Sequence, residues 1–272
     1  MIKRRIKNIL RRFQFILYAY CRSFMRIWLY LTWHPSPQKP EHYLKKTLGS
    51  KKNIWFIQVG ANDGLINDPL IRLISMYNWK GILLEPLPHV FQHQLVPLHK
   101  KFHNLTLVQA AIIPNKETLC IYSIEFSKKR WATGLSTFRK DILEQKIKDG
   151  YVEHMAQKHG DKLPQNRESW IKNETIPITS FEKLITTYHI PKVDVLQIDT
   201  EGLDAEIIKS FPFHHFKPEI ISFEHENLSN IEKESCFEFL SKHGYHLTIL
   251  ERDAIAIMPL HHQKKAQESD CE

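Results

Sequence analysis

Short apolar runs that end on glycine or acid constrain this chain more than any other feature. Residues 54–59 (IWFIQV) run into Gly60-Ala61-Asn62-Asp63-Gly64. Residues 81–85 (GILLE) stop at Pro86, and 105–113 contain Gln109-Ala110-Ala111. Residues 193–198 (VDVLQI) reach Asp199-Thr200-Glu201-Gly202, and 219–223 reach Glu224-His225-Glu226. Runs this short and this continuously apolar fit strands buried on both faces. The segments between them, at 68–79, 90–101, 203–211 and 230–243, carry apolar residues at helical spacing. This alternation predicts an α/β fold: a mostly parallel sheet, helices on both faces and right-handed crossovers. Residues 246–250 and 254–258 predict an antiparallel pair at the C-terminal edge.

The main domain is expected over 53–260. Residues 119–124 read as an added strand, and the polar stretch 125–175 as an insertion with helical pieces, such as 140–157. Thr179-Ser180-Phe181-Glu182 has the pattern of a capping box opening a helix through about 188. Residues 261–272 read as a disordered tail.

Charge separates the N-terminus from this domain. Residues 1–33 hold Lys3, Arg4, Arg5, Lys7, Arg11, Arg12, Arg22 and Arg26, with no acid before Glu41. They carry the chain's entire net charge of +8, and the remainder holds 30 residues of each sign. A basic body that would grip nucleic acid is excluded. The run 13–33 is rich in Phe, Tyr, Trp and Leu, but Arg22 and Arg26 interrupt it, at a cost of several kcal/mol to a spanning helix. A helix lying on an anionic membrane fits the composition best, with packing on the body as the alternative. His34-Pro35-Ser36-Pro37 ends it, and 34–52 reads as a linker. Cys21, Cys120, Cys236 and Cys271 form no CxxC pair, so neither a disulfide framework nor a zinc site is indicated. A cytoplasmic location, with membrane association through the N-terminal helix, follows.

In an open parallel sheet, ligands bind at the carboxyl ends of the strands. The loop after the first strand is not GxGxxG, since Asn62 and Leu65 replace two of its glycines, and no Gly-Lys-Ser/Thr follows. Asp63 would repel a pyrophosphate, so a ligand with a positive centre suits the loop better. Glu85, 25 residues after Gly60, can accept hydrogen bonds from a ribose diol. Gln109 and Ala110 suit an adenine edge, and packing explains them equally well. Asp199, Glu201 and Asp204 crowd one strand end. A sulfonium, a metal or an acceptor hydroxyl could use them, and helix capping is the plainer role. His225, flanked by two acids, is a candidate general base. His89 and His93 share a helical spacing but have no third ligand nearby and read as surface residues, as do His214-His215 and His261-His262.

These blocks resemble the FkbM family of S-adenosylmethionine-dependent methyltransferases. The resemblance runs through FIQVGANDG (56–64), GILLEPLPHVF (81–91), Gly134-Leu135-Ser136, Pro177-Ile178-Thr179-Ser180, VDVLQIDTEGLD (193–204) and ISFEHE (221–226). It implies a Rossmann-like class I methyltransferase sheet and methyl transfer to a hydroxyl of a sugar, glycan or related metabolite. It implies that Gly60, Asn62, Asp63 and Gly64 face the cofactor, Glu85 its ribose, and Asp199 the methyl-donor end. Many members have lysine where this chain has Gln197.

Methyl transfer is an in-line displacement, so alignment of the acceptor oxygen is the protein's main task. A base near the mouth should take the hydroxyl proton, with His225 first and Asp199 or Glu201 next. Oxygen ligands for a metal are present, though an incomplete set, and no metal is assigned. Two rivals are a nicotinamide-dependent oxidoreductase or epimerase, and a non-catalytic, membrane-tethered interaction domain. The missing GxGxxG counts against the first and the intact acidic strand ends against the second. Acceptor specificity is expected in the insertion 125–175.

Overall fold

The computed structural model describes residues 22–49, 51–113 and 119–259; of residues 22–26 it describes the backbone. The expected tail 261–272, and the part of the basic segment before residue 22, lie outside the described residues.

Eleven strands are described: β1 (Trp55–Val59), β2 (Lys80–Leu84), β3 (Leu105–Val108), β4 (Ala111–Ile112), β5 (Leu119–Ile124), β6 (Ile171–Ile176), β7 (Ile178–Thr179), β8 (Val195–Ile198), β9 (Ile220–Glu224), β10 (His246–Ile249) and β11 (Asp253–Ile257). Seven of them form one sheet in the order β10-β11-β9-β8-β1-β2-β3. All pairings are parallel except those of β11, which runs antiparallel to both β9 and β10. The antiparallel strand therefore lies one place in from the C-terminal edge, and β10 is outermost. The chain steps outward from β1 to β2 and β3, then returns to the other side of β1 with β8. That reversal puts a crevice over the carboxyl ends of β1 and β8.

Both sheet faces are apolar, as continuous runs require. Ile57, Val59, Leu196, Ile198, Ile221 and Phe223 face the helices Phe181–Thr187, Asp204–Lys209 and Asn230–Lys242. Phe56, Leu83, Val195, Ile220 and Ile255 face the other way, against the helix Ile71–Tyr77 and the N-terminal segment. Ser229 and Glu232 form a reciprocal capping box at the start of Asn230–Lys242. At the site where the sequence suggested such a box, Ser180 caps alone, accepting from the Lys183 amide, because Lys183 and not Glu182 occupies the third helical position.

Three expectations are corrected. Residues 34–52 are not a plain linker: Pro40–Leu48 is a helix whose Leu44 and Leu48 are fully buried against the sheet face. Each buried leucine is worth about 1.5–3 kcal/mol, far more than helix propensity in a nine-residue segment. The helix expected at 90–101 is a run from Pro88 to His99 that widens into a π turn at Phe91–Leu95, just before Pro97, which has no amide hydrogen to donate. The strand expected over 105–113 splits, and β4 leaves the main sheet to pair with β7.

The insertion is a small lobe with its own core. β5 and β6 pair antiparallel along six residues. Helices Lys140–Lys148 and Tyr151–His159, broken at Gly150, pack Leu143, Val152 and Ala156 against Trp131 and Trp170. The lobe stands over the carboxyl ends of the sheet, where it supplies one wall of the cavity described next.

Candidate active site

A cavity with about 580 Å³ of empty space, part of it open to solvent, lies at the switch between β1 and β8. Its floor is Val59, Gly60, Asn62, Glu85, Asp199, Thr200 and Glu201; its sides are Leu87, Ala110–Ile112 and, from the insertion, Arg130, Thr133, Gly134, Ser136 and Phe138.

The loop after β1 is fixed by its neighbours. Gly60 has φ +82°, and a Cβ there would overlap the Asp199 carbonyl, so only glycine lets the two strand ends meet. The Gly60 and Ala61 amides donate to the Leu84 carbonyl at 3.1 and 2.8 Å. Asn62, at φ +50°, donates its amide to Glu85 Oε2 at 2.8 Å. Glu85 Oε1 accepts from the Leu87 amide at 2.9 Å. Burial pushes Glu85 up to about 7, against those two hydrogen bonds and the Arg130 charge. A carboxylate has about four acceptor positions, so Glu85 keeps about two for a ligand.

Asp199 is surrounded by many protein atoms yet is solvent-exposed, its side chain open to the cavity. Its pKa is raised well above the usual carboxylate range by the desolvation those atoms impose, then by the charges of Glu201 and Asp204, with Arg130 opposing. Glu201 Oε2 accepts from Asn227 Nδ2 at 2.7 Å and lies 3.3 Å from Lys146 Nζ. Buried Asp204 holds the turn: it accepts from Thr200 Oγ1 (3.0 Å) and from the Thr200 and Gly202 amides (3.3 and 3.2 Å). Burial lifts it to about 6. Asp204 thus braces the turn before the helix Asp204–Lys209, whose N-terminus no side chain caps, neither Asp199 nor Glu201.

Asp199, Glu201 and Glu224 each offer an oxygen within 4.8 Å of the others. Two full charges at that distance repel by roughly 3–4 kcal/mol at an effective dielectric of about 20. Glu224 meets Arg252 at 2.7 Å, which favours its charged form, yet burial and then Asp199 and Glu201 raise its pKa. The trio therefore holds a proton near neutral pH. Lys146, Asn227 and Arg252 already neutralise or bond its outer oxygens.

The description "Methyltransferase FkbM domain" matches residues 58–251, most of the chain. The chain belongs to the FkbM methyltransferase family. The match opens within β1, closes in the turn between β10 and β11, and includes every cavity residue named above. The seven-stranded sheet of this FkbM protein is the Rossmann-like class I methyltransferase arrangement. No curated protein matches the sequence. Among solved structures, the chain is similar to a precorrin-6y C5,15-methyltransferase from Geobacter metallireducens GS-15, at 14% identity and TM-score 0.40, covering 80% of this chain and 87% of that one. The METTL16 MTase domain is 12% identical at TM-score 0.41, covering 80% and 65%. A human methyltransferase 10 domain containing protein is 12% identical at 0.38, covering 83% and 85%. At these values the likenesses add nothing to the family match.

Of the residues singled out from the sequence, Gly60, Asn62, Glu85, Ala110, Asp199 and Glu201 line the cavity of this family member. Asp63, Gly64, Gln109 and His225 do not. Asp63 is fully buried beneath the loop, where Oδ1 accepts from the Leu65 and Ile66 amides, both at 3.0 Å. Gly64, at φ +61°, packs on the His99 ring, which burial keeps neutral by lowering its pKa to about 4. His225 Nε2 lies 3.1 Å from the Leu250 carbonyl, and its ring meets Phe237 edge-on. Gln197 is buried in the sheet beside Gln58 and Ser222, also outside the cavity wall. Sequence reasoning missed Arg130, Thr133, Ser136 and Phe138 individually. Their one signal was the Gly134-Leu135-Ser136 block within the insertion.

Proposed function

We propose that this chain transfers a methyl group from S-adenosylmethionine to a hydroxyl oxygen of a sugar, glycan or related metabolite. One observation carries the reading: Glu85 and Asp199, at the ends of the strands on either side of β1, share one cavity. Their carboxylates favour a cationic nucleoside, and the two acceptor positions left on Glu85 match the donors of a ribose diol. Gly60 and Asn62 would border the cofactor, with Ala110 beside its base. When bound, the cofactor supplies an electrophilic methyl group on a sulfonium.

The chain's own residues supply alignment and a place for the proton. Thr133, Ser136 and Phe138 of the insertion would orient the acceptor against the floor. The hydroxyl proton would pass to Asp199 or Glu201. A raised carboxylate pKa makes Asp199 a stronger base than an ordinary aspartate. The acceptor contains no nucleic acid in this reading, since the domain over 53–260 holds 23 basic and 26 acidic residues. Residues 1–33 would rest on an anionic membrane surface from the cytoplasmic side.

The full chain should bind S-adenosylmethionine in a calorimeter and move a labelled methyl group into glycan or lipid extracts, with mass spectrometry placing it on a sugar oxygen. Absence of cofactor binding would end the proposal. Label found on nitrogen or carbon alone would end its O-methyl part.

A further inference from the structure

We infer that the exposed face of the helix Arg22–Thr32 is a membrane-contact surface held rigidly on the catalytic fold, with an anionic lipid bilayer as its occupant. The inference rests on the membrane reading above and adds which side chains make the contact and how they are held.

Ile27, Trp28, Tyr30 and Leu31 are 63%, 39%, 64% and 66% exposed. At about 100° per residue they fall within one arc of roughly 160° on the helix. Leu29 and Trp33 lie on the opposite side. The other large apolar side chains exposed among the described residues, Tyr151, Tyr188, Ile231 and Ile249, stand singly along the sequence. Scattered exposed residues need no partner, but four on one face do.

The opposite side is fastened to the fold. Leu29 packs into the clusters around Leu65, Ile71 and Leu73. Trp33 is buried, with Lys45 Nζ 5.2 Å and the Arg72 guanidinium 5.4 Å from its ring centre. Lys45 Nζ also donates to the Trp33 carbonyl at 2.7 Å. The helix lies along Ile71–Tyr77, whose other side meets the sheet. The exposed face is therefore presented at a fixed angle to the active site and does not swing on a tether.

Charge selects the occupant. Eight basic residues and no acid lie in residues 1–33, on a chain otherwise neutral. A second copy docked here would bring another eight positive charges against the first. An anionic bilayer takes both the apolar arc and the charge. Among the described residues no helix is long and apolar enough to cross a membrane.

The test sediments the full chain with phosphatidylcholine vesicles, with and without phosphatidylserine, at low and high salt. Wild type should bind the phosphatidylserine vesicles, less so at high salt. The Ile27→Ser/Leu31→Ser double variant should melt as wild type does and bind roughly tenfold more weakly or worse. Without lipid, the amides of residues 27–32 should already resist hydrogen exchange. If wild type ignores the vesicles, the membrane reading fails and this inference with it. If wild type and the double variant bind alike, the basic segment binds lipid but this face does not. Fast exchange at 27–32 would overturn the rigid docking. A dimer in light scattering that the double variant dissolves would assign the face to a second copy.

Discussion

Glu85 Oε2 accepts the Asn62 amide hydrogen at 2.8 Å, so the acid that ends β2 holds the turn that follows β1. The folded-state pKa of this acid, about 7, stands above the ordinary 4.5. The folded protein therefore binds the Glu85 proton more tightly than the unfolded chain does. Glu85's contribution to stability is fully present below pH 4.5 and is lost as pH rises through about 7. A shift of this size corresponds to about 3 kcal/mol as an order of magnitude. In urea unfolding at pH 4.5 and pH 8, wild type minus Glu85→Gln should fall by a few kcal/mol. His99, lowered to about 4, acts in the opposite sense over the same window, so the difference between the two proteins is the quantity to measure. A difference independent of pH would mean Glu85 is charged throughout.

Gly60→Ala tests the meeting of β1 and β8. The left-handed backbone alone costs a non-glycine residue about 1–3 kcal/mol, and the Asp199 carbonyl blocks the new methyl group. A thermal melt should show a drop of several degrees or more, and calorimetry should show cofactor binding lost in whatever remains folded. Wild-type affinity in this variant would separate the loop from the cofactor.

Arg130 is the cation that the insertion brings to the cavity. It lowers the pKa values of both Glu85 and Asp199 and lies 3.9 Å from Asp63, while its Nε donates no hydrogen bond. If the guanidinium holds the cofactor's amino-acid carboxylate, Arg130→Gln should weaken cofactor binding about tenfold or more, a typical loss for one charged hydrogen bond. It should also move the alkaline rise of the pH–rate profile upward, since Glu85 and Asp199 would then ionise later. Unchanged affinity and an unchanged profile would leave Arg130 a structural residue of the lobe.

Strand ends were legible in the sequence because chemistry and burial coincide there. Ile57 and Val59 had to be apolar to lie in the sheet, and residue 60 had to be glycine to pass Asp199. Elsewhere the signals were weaker or local rules competed. β6 (IKNETI) is polar and half-exposed because it pairs on one side with β5, so it carried no strand pattern. The helix Pro40–Leu48 follows two other prolines, which mask the helical signal of its Pro40 start and Leu44/Leu48 spacing. Arg130 reaches the cavity through the packing of the insertion lobe, which spacing along the chain does not encode. His225 had the right position at a strand end. Its ring, however, packs with Phe223 on Phe237, while Glu224 turns towards Asp199 and Glu201.

That difference between neighbours gives the sharpest test of the chemistry. His225 fastens the end of β9 to the β10–β11 turn: Nε2 meets the Leu250 carbonyl, and its amide donates to the Arg252 carbonyl at 2.9 Å. Neither contact touches the cavity. His225→Gln keeps a side-chain donor and should leave turnover within about twofold of wild type, and His225→Ala should cost about 1–2 kcal/mol of stability through the lost bond and packing. Asp199→Asn keeps the size and removes the base. Its turnover should fall about a hundredfold or more at saturating cofactor, the usual range for loss of a general base. The two variants make opposite claims on the same assay. If His225→Gln were the one to collapse and Asp199→Asn the one to persist, the proton would leave by the imidazole, and the β9 end would have to open towards the cavity during turnover.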